Sequence, residues 1–109
     1  MKNLNDLING SQPVLVDFFA TWCGPCREMH RVLEDVKSAI GDRARIVMLD
    51  IDDATNRRLT AEYNIRSVPT LIIFSNGEQR WRQSGVVSAN KLIRLLEEYE
   101  QERIPESTK

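Results

Sequence analysis

Apolar residues fall along this chain in two kinds of pattern. Three runs are nearly continuous: Val14 to Ala20, broken only by Asp17; Arg45 to Ile51, ended by Asp50 and Ile51; and Thr70 to Phe74. Runs of this length without polar alternation predict strands, the first of them buried on both faces. Elsewhere the apolar positions recur at helical spacing. From Cys23 onward, Met29, Val32, Leu33, Val36 and Ile40 mark one helix face, which Gly41 ends. A short helix is expected at Leu4, Leu7 and Ile8, capped by Asn3 or Asn5 and ended by Gly10-Ser11-Gln12-Pro13. Ala54 to Tyr63 reads as a helix capped by Asp53. Ser88 caps a last helix with Leu92, Ile93, Leu96 and Tyr99 inward.

Ser67-Val68-Pro69 breaks the chain before the third strand. Asn76-Gly77 is a strong hairpin signal. It leads into a fourth strand around Gln79 to Gln83, whose polar residues around Trp81 suggest a sheet edge. The predicted order is α-β-α-β-α-β-β-α. The first two strands, joined by a long helix, should be parallel through a right-handed crossover. The last two form an antiparallel hairpin. Helices should cover both sheet faces.

With 109 residues, the chain is expected to be a single domain over 1–109, frayed over its polar end from 103 to 109. Fifteen basic and sixteen acidic residues give a net charge of -1, without the basic surplus of a nucleic-acid binder. No apolar run approaches the ~20 residues of a membrane span. The start, Met1 to Asp6, lacks the apolar stretch of a signal peptide. This argues against export and points to a cytoplasmic, reducing location, with no membrane partner.

Cys23 and Cys26 are the only cysteines, and Gly24 and Pro25 separate them. A two-residue spacer closes too small a loop to stabilise a fold appreciably. A zinc site needs about four ligands, and His30 is the only histidine. A metal site is therefore not expected, short of one shared across a dimer. The remaining reading is a dithiol that opens and closes. A Cys-x-x-Cys beside a β-α-β pattern reads that way.

The pair sits where a buried strand gives way to a helix, and ligands bind at the carboxyl end of such strands. Cys23 at the helix N-terminus would be favoured as a thiolate by unpaired N–H groups and the helix dipole. Cys26 lies about one turn on, within reach. Pro25 is tolerated in the first helical turn, and Gly24 leaves the approach to Cys23 open. Asp17 interrupts an apolar strand. Leu15, Asp17 and Phe19 share one face and Val14, Val16 and Phe18 the other, so Asp17 is expected to be buried on either count. A buried carboxyl without a cation titrates upward, towards proton exchange near neutrality. The uncharged Gly-Pro spacer points to a moderately stabilised thiolate, hence a reductant.

The Trp22-Cys23-Gly24-Pro25-Cys26 motif, with Asp17 upstream and Val68-Pro69-Thr70, Asn76-Gly77 and Gly85 downstream, closely resembles the thioredoxin family. The resemblance covers Pro13 to Glu98. It implies an α/β thioredoxin fold with a mixed four-stranded central sheet, the family's first strand being absent, and helices on both faces. It implies that Thr70 to Phe74 runs antiparallel to the strand carrying Asp17. It implies reduction of protein disulfides, with Cys23 attacking, Cys26 resolving and Asp17 accepting a proton. Pro69 would be a cis-proline. Trp22, Gly24, Pro25, Val68, Pro69, Gly85 and Val86 would form the substrate rim. The implied partners are disulfide-containing proteins and a thioredoxin reductase drawing on NADPH. No cofactor would be bound, since no Gly-x-Gly-x-x-Gly loop is present.

Four departures stand out. Phe19 occupies a position usually held by tryptophan, Met48 one where lysine is common, and Arg31 that of a helix-kinking proline. The missing first strand would leave Arg45 to Ile51 as an exposed edge. The expectation is a monomer whose first helix shields this edge, with edge pairing to a second chain as the alternative. His30 reads as a helix-surface residue and Trp81 as a packing residue. Glu97 to Arg103 reads as a solvated helix face. A second function class stays open: a module that binds extended segments without redox turnover.

Overall fold

The computed structural model describes residues 8–102. The apolar run becomes β1, Val14–Phe19, in which all but Phe19 are buried. The second run becomes β2, Arg45–Asp50, with every residue half-buried or exposed. The third becomes β3, Thr70–Ser75, buried throughout. The fourth strand, β4, spans Glu78–Ser84. The sheet order is β2-β1-β3-β4, so the two buried strands are central and the two more exposed ones are edges. β1 pairs parallel with β2 and antiparallel with β3. The orientation implied by the family resemblance is the one observed.

The long helix, α1, runs without interruption over Gly24–Ile40, and Arg31 is accommodated on its exposed side. It buries Cys26, Met29, Leu33, Val36 and Ile40. The last helix, α3, spans Ala89–Gln101 and buries Leu92, Leu96 and Tyr99, with Ser88 Oγ accepting from Lys91 N–H. Together α1 and α3 cover Leu15, Leu71 and Ile73 on one sheet face. Val14, Val16, Phe18, Ile72 and Phe74 fill the other, against Leu59 and Tyr63 of the shorter segment between β2 and β3. Helices thus cover both faces because each central strand is apolar on both sides.

Two expectations require correction. The segment from Ala54 to Tyr63 is not one helix. Asp53 Oδ1 accepts from Thr55 N–H and folds Ala54–Asn56 as a 3-10 turn. The α-helix, α2, is only Arg57–Glu62. A short polar cap competing for backbone N–H groups tightens the first turn. The solvated face expected near the C-terminus is also partly engaged. Glu97 and Glu100 pair with Arg43, and Glu102 pairs with Arg80 at 2.6 Å.

Trp81 is half-buried against the core, as a packing residue should be. Its strand carries a bulge: Ile73 pairs with Trp81 but Phe74 with Gln79, leaving Arg80 as the extra residue. Asn76 and Gly77 both have positive φ, 55° and 82°, as the tight hairpin turn demands. Of the short helix expected at Asn3 to Ile8, only Ile8 lies within the described residues. It is buried against the β1 face that carries Val14 and Phe18. The tail expected from 103 to 109 lies outside them too. Among the described residues no helix is long and apolar enough to cross a membrane.

Candidate active site

β1 ends at Phe19, and Ala20 to Trp22 turns the chain into α1. The turn is held by Cys23 N–H donating to Ala20 O and by Arg27 Nη1 donating to Thr21 O at 3.1 Å. Cys23 is the residue immediately before the helix, in extended conformation, and Pro25 occupies the first turn. A cysteine at this position places its sulfur where the helix leaves N–H groups unpaired. Cys26 N–H points at Cys23 Sγ, 3.1 Å away. The two cysteines are joined as a disulfide, with Cα atoms 5.3 Å apart. Cys23 keeps 5% of its surface exposed and Cys26 none. A side chain at Gly24 would meet no atom within 4 Å, so this flank of the bridge is open.

One further segment meets the disulfide, and others are tied to it. The Val68–Pro69 peptide is cis, and Val68 packs against the cysteine pair. Val68 O lies 3.6 Å from Cys23 Sγ, close enough to accept from the thiol once the bridge is reduced. Gly85 N–H donates to Pro69 O at 2.8 Å, with Gly85 at φ +91°, which a side chain would strain. Val86 beside it is exposed. Trp22 is 68% exposed, and its indole N–H donates to Asp52 Oδ2 at 2.8 Å. The fold therefore sets Val68 against the Cys23–Cys26 bridge, with Trp22, Gly24 and Pro25 beside it in the chain, Gly85 tied to Pro69, and Val86 next to Gly85. Trp22 and Val86, two of the few large apolar residues left exposed, belong to this set.

Asp17 is fully buried on β1, and neither carboxyl oxygen has a hydrogen-bond partner. Burial alone pushes its pKa up from 3.8 to about 7. Its register partner on β2 is Met48, which brings no charge. The facing side chain from α1 is His30, whose Nε2 is 3.5 Å from Asp17 Oδ2. The imidazole packs edge-on against Phe19, with ring centroids 4.8 Å apart. Burial lowers the His30 pKa from its ordinary value.

The sequence profile of the thioredoxin family matches residues 1–98. The chain belongs to the thioredoxin family. It is 35% identical over 89 residues to the thioredoxin of Rickettsia prowazekii, covering 82% of this chain and 83% of that protein. It is 41% identical to the chloroplastic thioredoxin Y of Oryza sativa over 88% of this chain, which is 56% of the rice protein's length. The solved structure of a mutant thioredoxin from Halobacterium salinarum superposes with a TM-score of 0.78 at 36% identity. That superposition covers 94% of this chain and 86% of the other. Membership and the bridged Cys-x-x-Cys pair together make this centre a thiol–disulfide redox site.

Within that thioredoxin site, one expectation is overturned. His30 is not a free helix-surface residue, because Nε2 is buried and faces Asp17. The signal was present: His30 is four residues after Cys26, so the two stack on one helix face. The apolar stripe alone conceals it, since His30 lies at the stripe's border. Asp52 was also missed. It lies two residues beyond the end of β2, and Ile51 N–H donating to Phe19 O carries it beside Trp22. Among the described residues, no three His, Cys, Asp or Glu side chains are grouped to hold a metal.

Proposed function

We propose that this protein reduces disulfides in other proteins through the Cys23–Cys26 dithiol. The observation that carries the reading is the placement of Cys23. Its sulfur sits before the first turn of α1 and accepts from Cys26 N–H, while retaining a small opening to solvent. An anion there is favoured by the helix end and by that N–H. Cys23 thiolate attacks one sulfur of a target disulfide, forming a mixed disulfide and releasing the other target sulfur as a thiolate. Cys26 loses its proton to Asp17 and attacks Cys23 Sγ. The Cys23–target bond breaks, the Cys23–Cys26 bridge forms, and the second target thiolate takes a proton from water. Two electrons pass from the dithiol to the target.

The rim supplies binding. Trp22 and Val86 offer apolar contact to an extended segment of the target. Gly24 and Pro25 leave its approach clear, and the Val68–Pro69 and Gly85 backbone lies alongside for strand-like pairing. The oxidised protein must then be reduced externally, by a thioredoxin reductase drawing on NADPH. No bound cofactor is required. We read the chain as a single-domain, monomeric, cytoplasmic carrier, with β2 as the edge through which pairing would occur.

The test is turnover of a disulfide-bonded protein by the wild type, Cys23→Ser and Cys26→Ser with dithiothreitol as reductant. The wild type should accelerate reduction and both variants should not. Equal acceleration by all three would leave a binding module without redox turnover.

A further inference from the structure

The site contains an ionisable side chain that the disulfide cycle above does not use. His30 Nε2 is buried, has no hydrogen-bond partner, and stands 3.5 Å from a carboxyl oxygen that also has none. Two unsatisfied polar atoms sealed together in a core are costly unless they serve each other. The imidazole bridges two environments. Its side chain is 33% exposed although Nε2 itself is not, whereas Asp17 has no exposed surface at all. Phe19 fixes the ring edge-on from the strand that carries Asp17.

We propose that His30 is a positioning residue for Asp17, forming the route by which the buried carboxyl exchanges its proton with water in each redox cycle. The inference rests on the dithiol reading given above. When Cys26 gives its proton to the Asp17 carboxylate, that proton has no direct exit to solvent. The imidazole accepts a proton at Nε2 and releases one from its other nitrogen, as a ring with two distinct nitrogens can. Asp17 returns to the carboxylate, ready for the next cycle, and the imidazole is left neutral. The proton balance is closed, because the proton lost by Cys26 reaches water and the departing target thiolate takes one from water.

The surroundings favour this partner. β3 contributes Leu71 as the register neighbour of Asp17, and β2 contributes Met48. Asp50 lies two residues beyond Met48 on β2, and its Oδ1 is engaged by Asp52 N–H. On α1, the groups one turn from His30 are Cys26, Arg27, Leu33 and Glu34. Arg27 is exposed and turned to Thr21 O, and Glu34 is exposed. No other cation occupies the Asp17 pocket from these elements. Burial drives both groups towards their neutral forms, with Asp17 near 7 and His30 below its usual value.

The experiment combines kinetics with a spectroscopic readout. Multiple-turnover reduction of a disulfide-bonded protein, with dithiothreitol as reductant, is followed from pH 5 to 9 for the wild type, His30→Gln and His30→Ala. Glutamine keeps a polar group at the site but cannot take up a proton. Both variants should be slowed about tenfold at neutral pH, less than the ~100-fold or more of a direct general base. Both should also show a displaced pH profile. Since His30 is the only histidine, its ring resonances can be titrated directly by NMR in the wild type and in Asp17→Asn. The midpoint should fall when the carboxylate is removed. Profiles that superimpose on the wild type, or a His30 midpoint indifferent to Asp17→Asn, would overturn the inference. Should His30→Ala and His30→Gln fail to fold, the NMR comparison decides alone. Failure of the dithiol reading is recognised separately, by wild-type protein that does not reduce the target at all.

Discussion

Asp17 and Met48 are register partners across the parallel pair of β1 and β2, so a buried carboxyl lies beside an uncharged, partly exposed thioether. The carboxyl is left to the full cost of desolvation, which raises its pKa from 3.8 to about 7. Two consequences can be measured at this point in the sheet, and a third at the Trp22 rim.

The first concerns stability. The folded protein holds the Asp17 proton up to about pH 7, whereas the unfolded chain releases it near 3.8. Between those values the folded state binds more protons, so stability falls as pH rises through this window and levels off above it. The upper limit of that loss is about 4 kcal/mol, from the two pKa values at ~1.4 kcal/mol per unit. Asp17→Asn should abolish the slope. Urea titrations should show the variant more stable than the wild type at pH 8, with the gain shrinking to little at pH 4. A parallel pH dependence in both proteins would contradict burial as the origin.

The second concerns the missing cation. Met48→Lys places a positive charge on the neighbouring strand, on the sheet face that carries Asp17. The Asp17 midpoint, followed by carboxyl carbon NMR with Asp17→Asn as the blank, should move down from about 7. An unchanged or higher midpoint would show that Met48 is not the position controlling this carboxyl.

The third separates binding from folding. Trp22 is 68% exposed and anchored chiefly by one hydrogen bond to Asp52. Trp22→Ala should change stability by only about 0.5–1 kcal/mol, the worth of an ordinary hydrogen bond. It should raise KM for protein disulfides several-fold while leaving reduction of a small disulfide such as oxidised glutathione near wild type. Equal losses on both substrates would place the indole in the chemistry rather than in the rim.

Gly85 gives a contrasting case. At φ +91° a side chain is strained whatever space is available. Gly85→Ala should cost about 1–3 kcal/mol and loosen the Pro69 strap that its N–H holds. Thermal denaturation and KM for a protein disulfide should both worsen. Retention of both would mean that the strap tolerates a different backbone conformation.

Much of this arrangement was legible in the chain. Val14 to Phe18 and Leu71 to Phe74 are apolar on both faces, and only central strands covered twice can bury them. Asn76-Gly77 announces the hairpin because few other residues accept two successive positive φ angles. Asp17 stood out as the one charge inside such a run. Other features depend on contacts distant in sequence. The Arg80 bulge follows from seating Trp81 opposite Ile73, which no local pattern encodes. The 3-10 turn at Ala54 reflects Asp53 competing for Thr55 N–H, while propensity favoured a longer helix. The cis peptide before Pro69 came from family resemblance, since local sequence does not select the isomer. His30 was hidden because apolar periodicity says nothing about a polar residue at the border of the stripe. Only its i, i+4 relation to Cys26, together with the facing Asp17, reveals the pair.

The central claim is that Cys23 captures the target and Cys26 releases it. It is tested most directly by mass spectrometry of reduced Cys26→Ser after incubation with a disulfide-bonded protein. A covalent adduct should accumulate through Cys23, dissolve on adding dithiothreitol, and be absent with Cys23→Ser. No adduct with Cys26→Ser, or an equally abundant one through Cys26 in Cys23→Ser, would contradict the account.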